Sequence, residues 1–139
     1  MSVSQNEFFD QDIKMSMFSK KQTGDAGEKY CVKYLKKHGY KVICRNYRKP
    51  FGEIDIVASK GDLLCFVEVK TRHNGSLTEP YEAVDFKKQR RLIKAAQSYL
   101  TENNVESYCR FDVCEVITDK DTLKLIGIRY IENAFESGV

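Results

Sequence analysis

Asp55, Glu68 and Lys70 fall within GEIDIVASKGDLLCFVEVK (Gly52–Lys70), a stretch that also holds the most apolar residues of the chain. Ionised side chains normally stay in water, so acids inside an apolar hairpin need a reason. If Gly61–Asp62 form a two-residue turn, Lys60 pairs with Leu63, and counting outward sets Asp55 opposite Glu68. Directly opposed residues share a face with Cβ atoms about 4.5–5.5 Å apart. Two carboxylates at that spacing repel and titrate as a coupled pair. A divalent cation between them removes the conflict, and hard oxygen ligands suit Mg²⁺ or Mn²⁺. Lys70, two residues beyond Glu68, lies on the same face. There it can position or deprotonate a water, or steady charge developing on a phosphate. Arg72 continues the row and could hold a phosphate. A longer turn centred on Lys60–Gly61 keeps both acids on one face but diagonal, and a one-residue slip separates them. The competing interpretation is a solvated hairpin edge. Val57, Leu64 and Phe66 share the acids' face and argue for a half-buried site instead. Glu53 then reads as an outer acid and Asp62 as a turn residue.

Strands and helices must hold these groups in place. EIDIVAS alternates, with Ile54, Ile56 and Ala58 on one side and Glu53, Asp55 and Val57 on the other. LLCFVEVKTR places Leu63, Cys65, Val67 and Val69 on one face and Leu64, Phe66, Glu68, Lys70 and Arg72 on the other. YKVICRNYR precedes them as a third strand. A first helix is expected over Gly24–His38, capped by Thr23 and stopped by Gly39. Glu28 interrupts its apolar stripe one turn before Cys31 and Leu35. His73–Pro80 reads as a polar loop. A second helix is expected over Asp85–Glu102, with Val84, Leu92, Ala95, Ala96 and Tyr99 as its stripe. Arg110–Ile117 and Thr122–Ile131 form a second hairpin, and Glu132–Val139 is read as a helical turn. The order is αβββαββ, a mixed sheet with helices packed on it. Residues 1–22 show no clean period and read as a flexible or docking arm. Residues 23–139 form one domain.

The 139 residues suffice for one core, and 42% apolar with 31% charged content is ordinary for a globular chain. A net charge of +3 permits nucleic-acid binding without requiring it. The five cysteines are odd in number and form no C-x-x-C pair, which argues against a disulfide framework or a zinc site. Reduced thiols fit a cytoplasmic protein. No apolar run is long enough to span a membrane, and the N-terminus lacks a signal-peptide pattern.

GEIDIVA followed by FVEVKTR resembles the YraN-type family of bacterial proteins. Through it the chain is similar to the restriction-endonuclease-like PD-(D/E)xK nuclease superfamily, in its Holliday-junction-resolvase-like branch. The likeness spans about residues 23–135. It takes in GDAGEKYCVKYLKKHGYKVICRNYR before the hairpin and EAVDFKKQRRLIKAAQSYL and RFDV after it. The resemblance implies a restriction-endonuclease-like α/β fold and Mg²⁺- or Mn²⁺-dependent cleavage of DNA. Asp55 matches the superfamily's metal-binding aspartate, and Glu68 and Lys70 match its E-x-K element. Glu28 matches an extra carboxylate that some branches place at the metal. Ile54 stands where the motif's proline would be, at a position that varies. Resolvase-like relatives act as dimers, which leaves room for a homodimer here.

The remaining cations admit two interpretations each. Lys88 interrupts the second helix's apolar stripe. With Gln89 it either reaches the substrate phosphate or the metal waters, or simply covers the core with its stem. Arg91, within KKQRR, is a candidate for backbone contacts, whereas Lys87 and Arg90 read as solvated surface. Arg45 and Arg48, flanking Tyr47, could meet a nucleic acid. Asp112 reads as the structural partner of an arginine. Three functions therefore stand: a DNA nuclease, a nucleic-acid-binding protein of the same fold without efficient turnover, and a protein-interaction module.

Overall fold

The computed structural model describes residues 18–74 and 85–136. The expected arm lies largely in residues 1–17, and Val84 and most of the polar loop in 75–84, outside the described residues.

The first helix, α1, runs Lys20–Lys37, so it begins four residues earlier than Thr23 would allow. Its N-cap is Ser19. The Ser19 hydroxyl accepts from the Gln22 N–H at 3.0 Å, while the Ser19 N–H donates to Gln22 Oε1 at 2.8 Å. This reciprocal pair satisfies two helix-end donors and outcompetes a cap at Thr23. Gly39 takes φ 86° and ends the helix as expected.

Three strands follow: β1 (Lys41–Lys49), β2 (Gly52–Lys60) and β3 (Leu63–His73). Then come α2 (Phe86–Glu102), capped by Asp85, and β4 (Tyr108–Thr118) with β5 (Leu125–Phe135). Residues 132–135 of the tail expected to be helical instead extend β5, because Phe135 pairs with Phe111 and stacks on its ring at 5.0 Å, and residues 137–139 lie outside the described residues. The sheet order is β1-β2-β3-β4-β5, with β3 and β4 parallel and the other neighbours antiparallel. The parallel pair requires a crossover, and α2 lies in that connection. This is the restriction-endonuclease-like α/β architecture, in the order αβββαββ.

The two helices cover opposite faces. Cys31 and Leu35 of α1 bury against Ile56, Ala58, Cys65, Val67, Cys114 and Val116. Leu92, Ala95, Ala96 and Tyr99 of α2 bury against Ile54, Val57, Leu64, Phe66, Phe111 and Val113. The faces of β3 follow the expected alternation. Those of β2 do not: Ile54 joins Val57 rather than Ile56 and Ala58. The strand changes face at Asp55. Its neighbour β1 switches with it, since Cys44 and Tyr47, three residues apart, both pack on the α2 side. Asn46, between them, has φ 54°, a left-handed conformation that asparagine tolerates better than most residues.

Two glycines let the helices approach the sheet closely. A methyl group at Gly27 of α1 would collide with Thr71 Oγ1 of β3, and one at Gly52 of β2 with the Arg91 carbonyl of α2.

Candidate metal and phosphate site

The Lys60↔Leu63 pairing matches the two-residue turn at Gly61–Asp62, with Gly61 at φ 57°. From there the β2–β3 ladder runs to Ile56↔Val67 and ends. Asp55 is the next residue. Its carboxylate accepts the Val69 N–H at 2.8 Å, standing where a backbone carbonyl would continue the ladder. The change of face in β2 therefore frees Asp55 from pairing with β3, while β2 stays paired with β1, and its side chain crosses the gap to Val69 beside Glu68.

Glu68 is 4% exposed. Two ammonium groups converge on its Oε1: Lys88 Nζ at 2.6 Å and Lys70 Nζ at 3.6 Å. Lys70 comes from β3, two residues along. Lys88 comes from the first turn of α2, where its N–H is fixed by the Asp85 side chain at 2.8 Å. Lys88 thus reaches the acid pair itself, as the counter-ion of Glu68. Gln89 follows it, half-buried, in the same turn.

The electrostatics show the conflict. Burial first, then the neighbouring Glu68 carboxylate, push Asp55 up to about 8, against the Val69 hydrogen bond; Glu28 adds to the rise. Burial and the adjacent Lys88 ammonium lower Lys70, against the pull of Glu68 and Asp55. Burial also acts to lower Lys88, but Glu68 outweighs it and Lys88 is raised.

Glu28 stands behind Asp55 on α1, with its side chain 12% exposed. Its Oε1 lies 3.6 Å from Arg45 of β1 and has no hydrogen-bond partner among the described residues. The close contact of Gly27 with Thr71 is what brings this acid near β3. Among the described residues no three His, Cys, Asp or Glu side chains converge into a complete cation cage. The donor set still fits a hard cation. It offers two mutually repelling carboxylates and a third with an oxygen that accepts no hydrogen bond, and Mg²⁺ retains waters in its remaining positions.

The other cations named above separate. Arg72, also on β3, lies 3.4 Å from Glu115 Oε1. Arg48 pairs with Glu53 at 3.4 Å, both side chains exposed. Arg91 is exposed on α2. Asp112 is fully buried against Arg110, the structural partnership expected of it.

One acid escaped the sequence reasoning. Glu115 pairs with Lys70 across the β3–β4 ladder and is 3% exposed. Its Oε2 has no hydrogen-bond partner among the described residues. The signal was present: a lone carboxylate inside the apolar run Val113–Ile117 of a central strand.

No helix among the described residues is long and apolar enough to cross a membrane. All five cysteines are free.

Residues 27–116 match the model of "Uncharacterised protein family UPF0102". A UPF0102 protein of Caldanaerobacter subterraneus subsp. tengcongensis is 42% identical over 122 residues, 87% of this chain and 100% of the relative. One from Alkaliphilus metalliredigens is 47% identical over 116 residues, covering 83% of this chain and 98% of the relative. One from Dictyoglomus thermophilum is 42% identical with the same coverage.

Proposed function

The chain belongs to the UPF0102 family, the YraN-type family, and for this member we propose metal-dependent hydrolysis of phosphodiester bonds in DNA. The observation that carries the reading is the Asp55–Glu68 pair. Two carboxylates are packed together in a half-buried gap of the sheet, at the cost of raising Asp55 to about 8, with Lys70 against them. Such an arrangement opposes folding unless a cation uses it.

Asp55 and Glu68 would hold Mg²⁺ or Mn²⁺, with Glu28 as a further ligand directly or through water. The cation, when bound, supplies a Lewis acid that lowers the pKa of water and screens a phosphate. Val69 keeps the Asp55 carboxylate oriented through its N–H. Lys70, held by β3, would orient the attacking water and take up charge developing on the phosphate. Arg72 and Arg91 would extend the cationic surface along the backbone, with Arg45 and Arg48 on the β1 side.

The test is Mn²⁺ binding and cleavage of branched, nicked or single-stranded DNA by the wild type and by Asp55→Ala. Binding and cleavage lost in the variant support the reading; identical behaviour of the two proteins sinks it. A second reading, nucleic-acid binding without turnover, is favoured by the Lys88 ammonium standing 2.6 Å from Glu68, where a cation would bind. Steeply salt-dependent DNA binding, indifferent to Glu68→Gln and without cleavage, would select it.

A further inference from the structure

Lys88 and Lys70 both address one oxygen of Glu68, at 2.6 and 3.6 Å, yet they are not equivalent. Lys70 lies inside the β3–β4 ladder, three residues past the last β2–β3 pair. Its Cα is fixed by the β3–β4 ladder, and its side chain is 28% exposed. Lys88 reaches in from the first turn of a helix, through a four-carbon stem whose side chain is 37% exposed. Lysine rotamers interconvert at little cost when the head can re-enter water. A divalent cation on Glu68 would stand within a few ångströms of the ammonium now touching that carboxylate. Like charges at that separation, in a half-buried site, exclude one another. Of the two ammonium groups, Lys88 is the one free to leave.

We propose that Lys88 is a counter-ion latch: it neutralises Glu68 in the metal-free protein, yields that carboxylate to a divalent cation, and then pairs with a phosphate of the bound DNA. Because one ammonium serves both partners in turn, metal and DNA strengthen each other's binding. Metal alone must displace the latch, and DNA alone finds the ammonium engaged. This inference rests on the metal-centre reading above and adds a direction to it. The residue that weakens the first ligand is the one that couples it to the second.

The experiment titrates Mn²⁺ into the full chain, without DNA, by electron paramagnetic resonance or calorimetry. Wild type is compared with Lys88→Met and Lys88→Gln, circular dichroism confirming that each is folded, and with Lys94→Met on the same helix. Both Lys88 variants are expected to bind Mn²⁺ about 3- to 10-fold more tightly than wild type, and Lys94→Met to match wild type. A merely structural lysine would weaken binding or leave it unchanged. A single-stranded oligodeoxynucleotide is then titrated with and without saturating Mn²⁺. Mn²⁺ should improve its affinity in wild type, and the gain should shrink several-fold in Lys88→Met. Equal Mn²⁺ affinity across the set overturns the latch and leaves the metal centre standing. An undiminished gain in Lys88→Met overturns the transfer to phosphate. No Mn²⁺ binding by any of the proteins overturns the metal centre itself, and the latch with it.

Discussion

Two carboxylates sit on opposite faces of the same two central strands and have opposite fates. Asp112, fully buried on the α1 side of β4, accepts four hydrogen bonds. They come from Arg110 Nε at 2.8 Å, Arg110 Nη2 at 2.9 Å, the Tyr130 hydroxyl at 2.7 Å and the Asn133 N–H at 2.9 Å. Arg110 also donates to Tyr40 Oη at 2.8 Å. The Asn133 donor is available because β5 bulges there, with Asn133 at φ 51°. Glu68, on the α2 side of β3, has no such closure. It faces another carboxylate and shares one oxygen between two ammonium groups, which raise and lower one another. Every lone pair of Asp112 is answered within the fold, so it specifies structure. Glu68 and Asp55 are left in conflict, which is what the proposed metal centre would resolve.

The largest expected effect breaks the satisfied cluster. Asp112→Ala strips Arg110 of its buried carboxylate, leaving it Tyr40 and the exposed Glu132, and should cost about 3–5 kcal/mol of stability in a denaturant titration. Asp55→Asn should do the reverse. It removes the repulsion, so the metal-free protein at pH 8 should gain about 1–2 kcal/mol, while Mn²⁺ affinity falls more than about 10-fold in the same titrations.

The pH dependence sharpens the contrast. The folded state holds the Asp55 proton up to about 8, far above an unfolded aspartate at about 3.9. The stability from that proton is complete below pH 4 and is lost as pH rises through about 8. Relative to Asp55→Asn, metal-free wild type should therefore weaken across this window by up to about 1.4 kcal/mol per pH unit. Thermal melts of both proteins at stepped pH check it, and parallel curves would contradict it. Mn²⁺ should remove the difference if, as proposed, it binds the deprotonated pair.

A smaller effect tests how Glu28 arrives. Gly27→Ala forces a methyl group into Thr71 and should cost about 1–3 kcal/mol, part of it recovered in Gly27→Ala/Thr71→Ala. The smallest belongs to Arg48→Ala, whose exposed pair with Glu53 should shift stability by less than about 0.5 kcal/mol.

Much of the site was legible because its first elements are local. A glycine that accepts positive φ at 61 makes a tight turn, and the turn sets the β2–β3 register as far as Ile56↔Val67, the pair next to Asp55 and Glu68. The faces of β3 followed from alternation alone. The β2 pattern misled, because alternation assumes an uninterrupted ladder, and a change of face shared with β1 cannot be seen in either strand by itself. The α1 cap was missed for a different reason. Serine and threonine both cap, and only the reciprocal bond with Gln22 decides between Ser19 and Thr23.

What the sequence determined alone is the order of elements and the hairpin that carries Asp55, Glu68 and Lys70. These depend on short-range backbone geometry and side-chain period. Only the tertiary structure decided that Lys88 of α2 lies on Glu68, that Glu115 holds Arg72, and that Gly27 lets α1 carry Glu28 inward. Each joins elements whose spacing along the chain says nothing of their distance in space. Each is set by how closely two packed layers can approach.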